Sequence, residues 1–151
     1  MRVCILGSGL SCLTLAKALV NQKIYVDINV SSNSFQPGKS RTIGISKSNL
    51  EFFNKHIINI DKITWKLRQI HIFSDSFKKE KLLNFENNKN QLFSILKNFD
   101  LLNYLFINLS KNKLVKFKKK IEYNDLLKIN YKLIFNCDHN NFISKRFFYK
   151  K

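Results

Sequence analysis

Acidic residues, cysteine, proline and glycine are all scarce in this chain of 151 residues, and each scarcity excludes something. The three cysteines, Cys4, Cys12 and Cys137, are odd in number and lack metal-ligand spacing. They exclude a disulfide scaffold and a zinc site, and they fit a reducing cytoplasm. The single proline lies in "SSNSFQPGKS", residues 31–40, the one loop-like stretch; no linker or internal repeat is visible, so one domain is expected. After residue 20 no apolar run approaches the length needed to cross a bilayer. His56, His71 and His139 have no partners at ligand spacing, so neither a metal site nor a catalytic histidine is expected.

Ten acidic residues against 27 basic ones leave a net charge of +17. Such an excess points to nucleic acid or an anionic membrane. The lysines are spread along the chain, with residues 116–120 as the main run, and they form no recognisable reader module. The abundance of Lys, Asn, Ile, Phe and Tyr also matches the codon drift of an AT-rich genome. A small basic nucleic-acid-binding α/β protein remains the alternative reading, and nucleic acid is the disfavoured partner.

What is present begins with "CILGSGLSCLTLAKALV", residues 4–20. As a secretion signal it has a basic start and a small-x-small triplet at Ala16-Lys17-Ala18. Lys17 breaks that triplet, and a signal has no use for two glycines one residue apart. A nucleotide fold explains more. Arg2–Leu6 has the apolar look of a strand buried on both faces. Gly7-Ser8-Gly9 follows as a turn. Leu10, Leu13, Leu15, Ala16, Leu19 and Val20 then recur at helical spacing. Ile24–Val30 alternates as a second strand. The sum is the opening βαβ unit of a dinucleotide fold, in which bare backbone and a helix N-terminus receive phosphates.

Further along, residues 46–54 predict a short helix capped by Ser46 or Ser48. Gln69–Phe73, Lys81–Phe85 and Gln91–Leu96 predict strands, the last two antiparallel. Phe99–Leu109 predicts an amphipathic helix and Leu114–Lys118 a short strand. Tyr131–Asn136 predicts a closing strand able to rejoin the first sheet. The class is therefore α/β, a Rossmann-like sheet with an inserted antiparallel region.

Three stretches carry a resemblance: "CILGSGLSCLTLAKAL", "SRTIGISKSNLEFF" and "YKLIFNCDHNNFISKRFF". Their order and spacing resemble the FAD-dependent aromatic hydroxylases, the para-hydroxybenzoate hydroxylase-like flavoprotein monooxygenases, with the ubiquinone-biosynthesis hydroxylases as the nearest branch. The resemblance implies an FAD-binding portion of an enzyme that hydroxylates an aromatic ring, a ubiquinone precursor, using NAD(P)H and O2. It implies that Gly7, Ser8, Gly9, Leu10 and Ser11 bind the FAD pyrophosphate through backbone N–H groups. Arg41 matches an arginine near the flavin's phosphate and ribityl chain, and Asp138 the acidic half of an Asp-Gly pair.

No catalytic side chain is implied, because the cofactor carries the chemistry. The chain departs from the family at three positions. Cys12 stands for a third small residue, His139 for the glycine after Asp138, and Val30 for the acidic residue that grips the adenosine ribose. The family also continues past this length, through a Gly-Asp motif and a substrate domain. A truncated copy, a relic fragment, or a protein completed by a second chain is thus expected. The location implied is cytoplasmic, peripheral to an anionic inner membrane where a prenylated quinone precursor resides.

Overall fold

The computed structural model describes residues 1–30, 41–75, 80–86, 91–119 and 122–147. The 31–40 loop and Lys120 of the basic run lie outside them. The chain opens with β1 (Arg2–Leu6), α1 (Leu10–Asn21) and β2 (Tyr25–Val30), continues with β3 (Thr42–Ser46) and α2 (Lys47–His56), and makes a 3-10 turn at Asp61–Ile63. Then come β4 (Thr64–Leu67), β5 (Gln69–Phe73), β6 (Lys81–Glu86), β7 (Phe93–Lys97) and α3 (Asn98–Ser110). The chain ends with β8 (Val115–Lys119), α4 (Tyr123–Lys128), β9 (Leu133–Asn136) and α5 (Phe142–Phe147).

β8, β2, β1 and β9 pair in that order, and every pairing is parallel. In chain order this is third-second-first-fourth, an order shared with open doubly wound parallel sheets. The expected return of the last strand to the first sheet is found, with Val3 opposite Leu133 and Leu6 opposite Asn136. It starts at Leu133, two residues later than predicted, although the Lys132 N–H already donates to the Arg2 carbonyl at 3.0 Å.

Alternation assigns the two faces of this sheet. Ile5, Val26 and Ile28 are buried toward α1 and α3, whose Leu13, Ala16, Leu105 and Leu109 complete the main core, and Val3 is buried in the same alternation phase as Ile5. Cys4 and Leu6 face the other way, onto Leu126 of α4 and partly buried Phe142 and Ile143. A core on both faces is what a parallel sheet requires.

The inserted region is antiparallel, as expected, but divided differently. β7 pairs with β3 and β4, whereas β6 pairs with β5. The predicted strands 81–85 and 91–96 therefore belong to different sheets. In β7, buried Ser94 and Leu96 draw it into the core, while all six residues of β6 are exposed. Ser46 caps α2 as read, its Oγ accepting the Asn49 N–H at 3.2 Å.

A candidate dinucleotide site at the C-terminal end of the parallel sheet

β1 stops at Leu6 because Gly7 turns the chain with φ +128°, a backbone state that side chains rarely adopt. The turn is fixed from three sides. The Gly7 N–H donates to the Asn29 carbonyl at 3.0 Å. The Cys12 thiol donates to the Gly7 carbonyl at 3.0 Å. A Cβ on Gly7 would stand 3.2 Å from the carbonyl carbon and oxygen of Cys137 and 3.4 Å from Cβ of Asp138, so the turn and the end of β9 are packed together.

Gly9 differs. Its backbone is extended (φ −74°, ψ 178°), and a Cβ there would meet nothing within 4 Å. It is the N-cap of α1 without a side-chain cap, and the first intrahelical bond runs from the Leu13 N–H to its carbonyl at 3.1 Å. The N–H groups of Leu10, Ser11 and Cys12 precede that bond and have no partner within the helix. Gly9 and Ser11 are exposed, while Ser8 is buried. An open, uncapped helix start with no acidic residue in its first turn suits an anion.

Cys12, the departure from a third small residue, is thus a fastening of the turn. Burial pushes its thiol pKa far up, and the nearby Cys137 and Cys4 push it the same way. Burial likewise moves Cys4 up to about 11, so both stay protonated. Asn29 donates from Nδ2 to the Cys4 Sγ at 3.0 Å, and its buried Oδ1 has no partner among the described residues.

Asp138 adjoins the turn, but its carboxylate serves its own loop: Oδ1 accepts the Asn140 N–H at 2.9 Å. Its carbonyl accepts the Ser144 hydroxyl at 3.1 Å. The turn after it needs no glycine, since Lys23 (φ 61°) is the only non-glycine residue with positive φ among the described residues. That is why His139 is tolerated. Asn141 accepts the Ser144 N–H at 2.9 Å and so caps α5.

Arg41 is not brought to the turn by any described contact. It precedes β3 in the second sheet, exposed, with its carbonyl accepting the Asn98 N–H at 2.9 Å. An apolar cavity of about 530 Å³ runs along α1 from Leu10 and Ser11 to Ala18, faced by Ile43, Ile45 and Leu96. Among the described residues no titratable group lines it.

Asp27, acidic but inside its strand, has a different role. It is buried on the face opposite Val30 and holds three partners on one oxygen. Arg2 and Lys118 lie 2.8 Å from Oδ2, and the Tyr131 hydroxyl donates to it at 2.6 Å. Burial pushes the Asp27 carboxyl upward, but the hydrogen bonds from Lys118, Tyr131 and Arg2 outweigh it and hold the group below its ordinary value.

At the other face, Val30 ends β2 half-buried and pairs in register with Lys119 at the end of β8. Val30 has no atom to accept a ribose hydroxyl. β8 runs one residue further than the predicted Leu114–Lys118, to Lys119, because its backbone pairs with Val30 where no apolar side chain marks the strand.

No protein-family model matches the chain, and no curated protein matches it in sequence. Solved structures do match in fold. PnpA, a p-nitrophenol 4-monooxygenase from Pseudomonas putida DLL-E4, superposes with a TM-score of 0.63 at 14% identity, over 78% of this chain and 31% of that one. PqsL, a probable FAD-dependent monooxygenase from Pseudomonas aeruginosa, gives 0.61 at 12% identity, over 83% and 36%. HpxO from Klebsiella pneumoniae, complexed with FAD and uric acid, gives 0.60 at 15%, over 78% and 30%. This chain therefore has the mixed α/β fold of a segment of FAD-dependent monooxygenase structures, spanning about a third of their length.

Proposed function

We propose that this chain is the dinucleotide-binding portion of a flavin-dependent monooxygenase that hydroxylates an aromatic ring, with the FAD pyrophosphate held on Gly7, Ser8, Gly9, Leu10 and Ser11. The observation that carries the reading is the open space at Gly9, at the mouth of an uncapped α1, in a β8-β2-β1-β9 parallel sheet. A Cβ there would fill the cradle that a phosphate needs. Bound FAD would supply the redox and oxygen chemistry, with NAD(P)H as reductant. The chain's own residues bind and orient: backbone N–H groups face the phosphates, Cys12 keeps the turn shut behind them, and Asp138 packs against Gly7.

The substrate class is an electron-rich ring, in the finer reading a ubiquinone precursor reached at an anionic membrane surface. Among the described residues no helix is long and apolar enough to cross a membrane. Further polypeptide, continuous or as a second chain, supplies the substrate face. The hairpin β5–β6 supports this, since Ile72, Phe73, Leu82, Leu83 and Phe85 stand exposed on a two-stranded sheet that is marginal by itself.

The test is direct. The purified chain should carry flavin absorbance in the visible, or quench the fluorescence of added FAD with saturation. A colourless protein that ignores FAD and binds duplex DNA in a salt-dependent way would overturn the reading in favour of a nucleic-acid-binding protein.

A further inference from the structure

A second cavity lies at the opposite end of the parallel sheet from the phosphate turn, where β1, β2 and β8 begin. It measures about 180 Å³ and is lined by Arg2, Tyr25, Asp27, Lys113, Leu114 and Lys116. Asp27 and Lys116 are register partners, so their side chains leave the sheet on the same face. They alternate with Val26, Ile28, Val115 and Phe117 of the α1 core, which puts them on the face away from α1.

Asp27 uses only half of its carboxylate. Its three partners, Arg2, Lys118 and Tyr131, all converge on Oδ2. Oδ1 takes no hydrogen bond among the described residues. The only fully enclosed, unpaired side-chain atom among those residues is the Asn29 Oδ1, so the Asp27 Oδ1 keeps an opening, and Asp27 lines this cavity. An unpaired carboxylate oxygen on a side chain only 3% exposed is costly unless a donor reaches it. The donors on Oδ2 also hold the carboxylate still, so Oδ1 is a fixed acceptor.

The other side chains call for an anion. Lys113 and Lys116 are exposed and have no acidic partner among the described residues. Arg2 gives one of its five N–H groups to Asp27 and keeps the rest. Asp27 is the only acidic residue among those lining the cavity, so positive charge is in surplus. An ammonium donor would meet Arg2 and Lys118 already on the carboxylate, whereas a neutral hydroxyl would not. The volume is below the roughly 300–1,000 Å³ of sites for drug-sized ligands, which excludes a nucleotide and suits a molecule the size of a headgroup.

We propose that this cavity is a second ligand site, for a small phosphate ester bearing a free hydroxyl. The phosphate pairs with Lys113, Lys116 and the remaining Arg2 N–H groups, and the hydroxyl donates to the Asp27 Oδ1. A soluble polyol phosphate and a phosphoglycerol lipid headgroup share this chemistry. The site shares no residue with the Gly7–Ser11 turn and is independent of the dinucleotide reading.

The experiment is calorimetric titration of the full chain, at low salt and with FAD present, using glycerol phosphate, inorganic phosphate and glycerol. Glycerol phosphate is expected to bind about tenfold more tightly than inorganic phosphate, the scale of one hydrogen bond to a charged group, and glycerol to give no measurable binding. The double variant Lys113→Gln, Lys116→Gln should weaken glycerol phosphate about tenfold or more at an unchanged melting temperature. Asp27 is left intact because it also holds the fold. Flotation with vesicles of phosphatidylglycerol or of phosphatidylserine at equal charge separates the two sources. A preference for phosphatidylglycerol that the double variant abolishes assigns the site to a lipid headgroup, and binding of the soluble ester alone assigns it to a free phosphate ester. Inorganic phosphate binding as tightly as the ester overturns the contact to Asp27. Unchanged ester affinity in the double variant, or no binding of either the ester or phosphatidylglycerol, overturns the site. Neither result bears on the turn, which FAD binding reads separately.

Discussion

Gly7→Ala and Gly9→Ala, two identical substitutions one residue apart, are expected to fail in opposite ways. At Gly7 the backbone sits at φ +128°, where an alanine costs about 1–3 kcal/mol. Its methyl would also lie 3.2 Å from the Cys137 backbone, which cannot swing aside as a side chain can. Overpacking of that kind adds about 1–3 kcal/mol. Loss of the turn would release the Asn29 carbonyl and the Cys12 thiol as well. Gly7→Ala should therefore lower the melting temperature sharply.

Gly9→Ala should not. Its dihedrals suit any residue and the methyl meets nothing, so stability should stay within about 0.5 kcal/mol. That methyl does stand where a pyrophosphate must approach. Losing one charge-assisted backbone bond is worth roughly 1.5–3 kcal/mol, so FAD affinity should fall about tenfold or more. Thermal melts followed by circular dichroism, paired with FAD titrations, read both outcomes. If Gly9→Ala binds FAD as tightly as the wild type, the turn is not a phosphate cradle.

How much of this was legible from residues follows from range. β1, α1 and β2 could be read to within a residue or two, because an apolar run, a glycine pair and a 3.6 period sit side by side in twenty residues. The closing strand could be read as apolar, and its parallel partner followed from the βαβ opening. The pairing of β6 with β5 could not, because both strands are short and β6 shows no buried face to set its register. α4 and α5 escaped for a similar reason: six residues give less than two turns of periodicity. At the site, the glycines announced themselves by spacing. Cys12 looked like a defect until its thiol was found on the Gly7 carbonyl.

Asp27 is the extreme case, since its hydrogen bond from Tyr131 spans 104 residues and no local pattern can foretell it. Its removal also has a large expected effect on stability. Asp27→Asn keeps the shape and removes the charge, leaving Arg2 and Lys118 without their carboxylate and the Tyr131 hydroxyl with a weaker acceptor. Breaking a buried ion pair by removing one partner costs about 3–5 kcal/mol. Here the Arg2 side chain is 43% exposed, and solvent screening places the loss near the lower end, roughly 3 kcal/mol.

In a domain of this size that lowers the melting temperature by about 6–12 °C. Tyr131→Phe, which removes one donor and keeps the ring, should cost only about 1–2 kcal/mol. The pH dependence has a definite sign. The folded carboxyl titrates below its ordinary value of 3.8, so the Asp27 contribution is complete above that pH and is lost as pH falls through the lowered folded value. The Tyr131 hydroxyl, raised by burial and by Asp27, is linked at the other extreme: its contribution is complete below 10.0 and is lost as pH rises through the raised folded value. Acid melts of wild type and Asp27→Asn should therefore converge below the ordinary carboxyl range and diverge above it. Parallel curves across that range would show that Asp27 is not the charge that locks β8, β1 and the start of β9 onto β2.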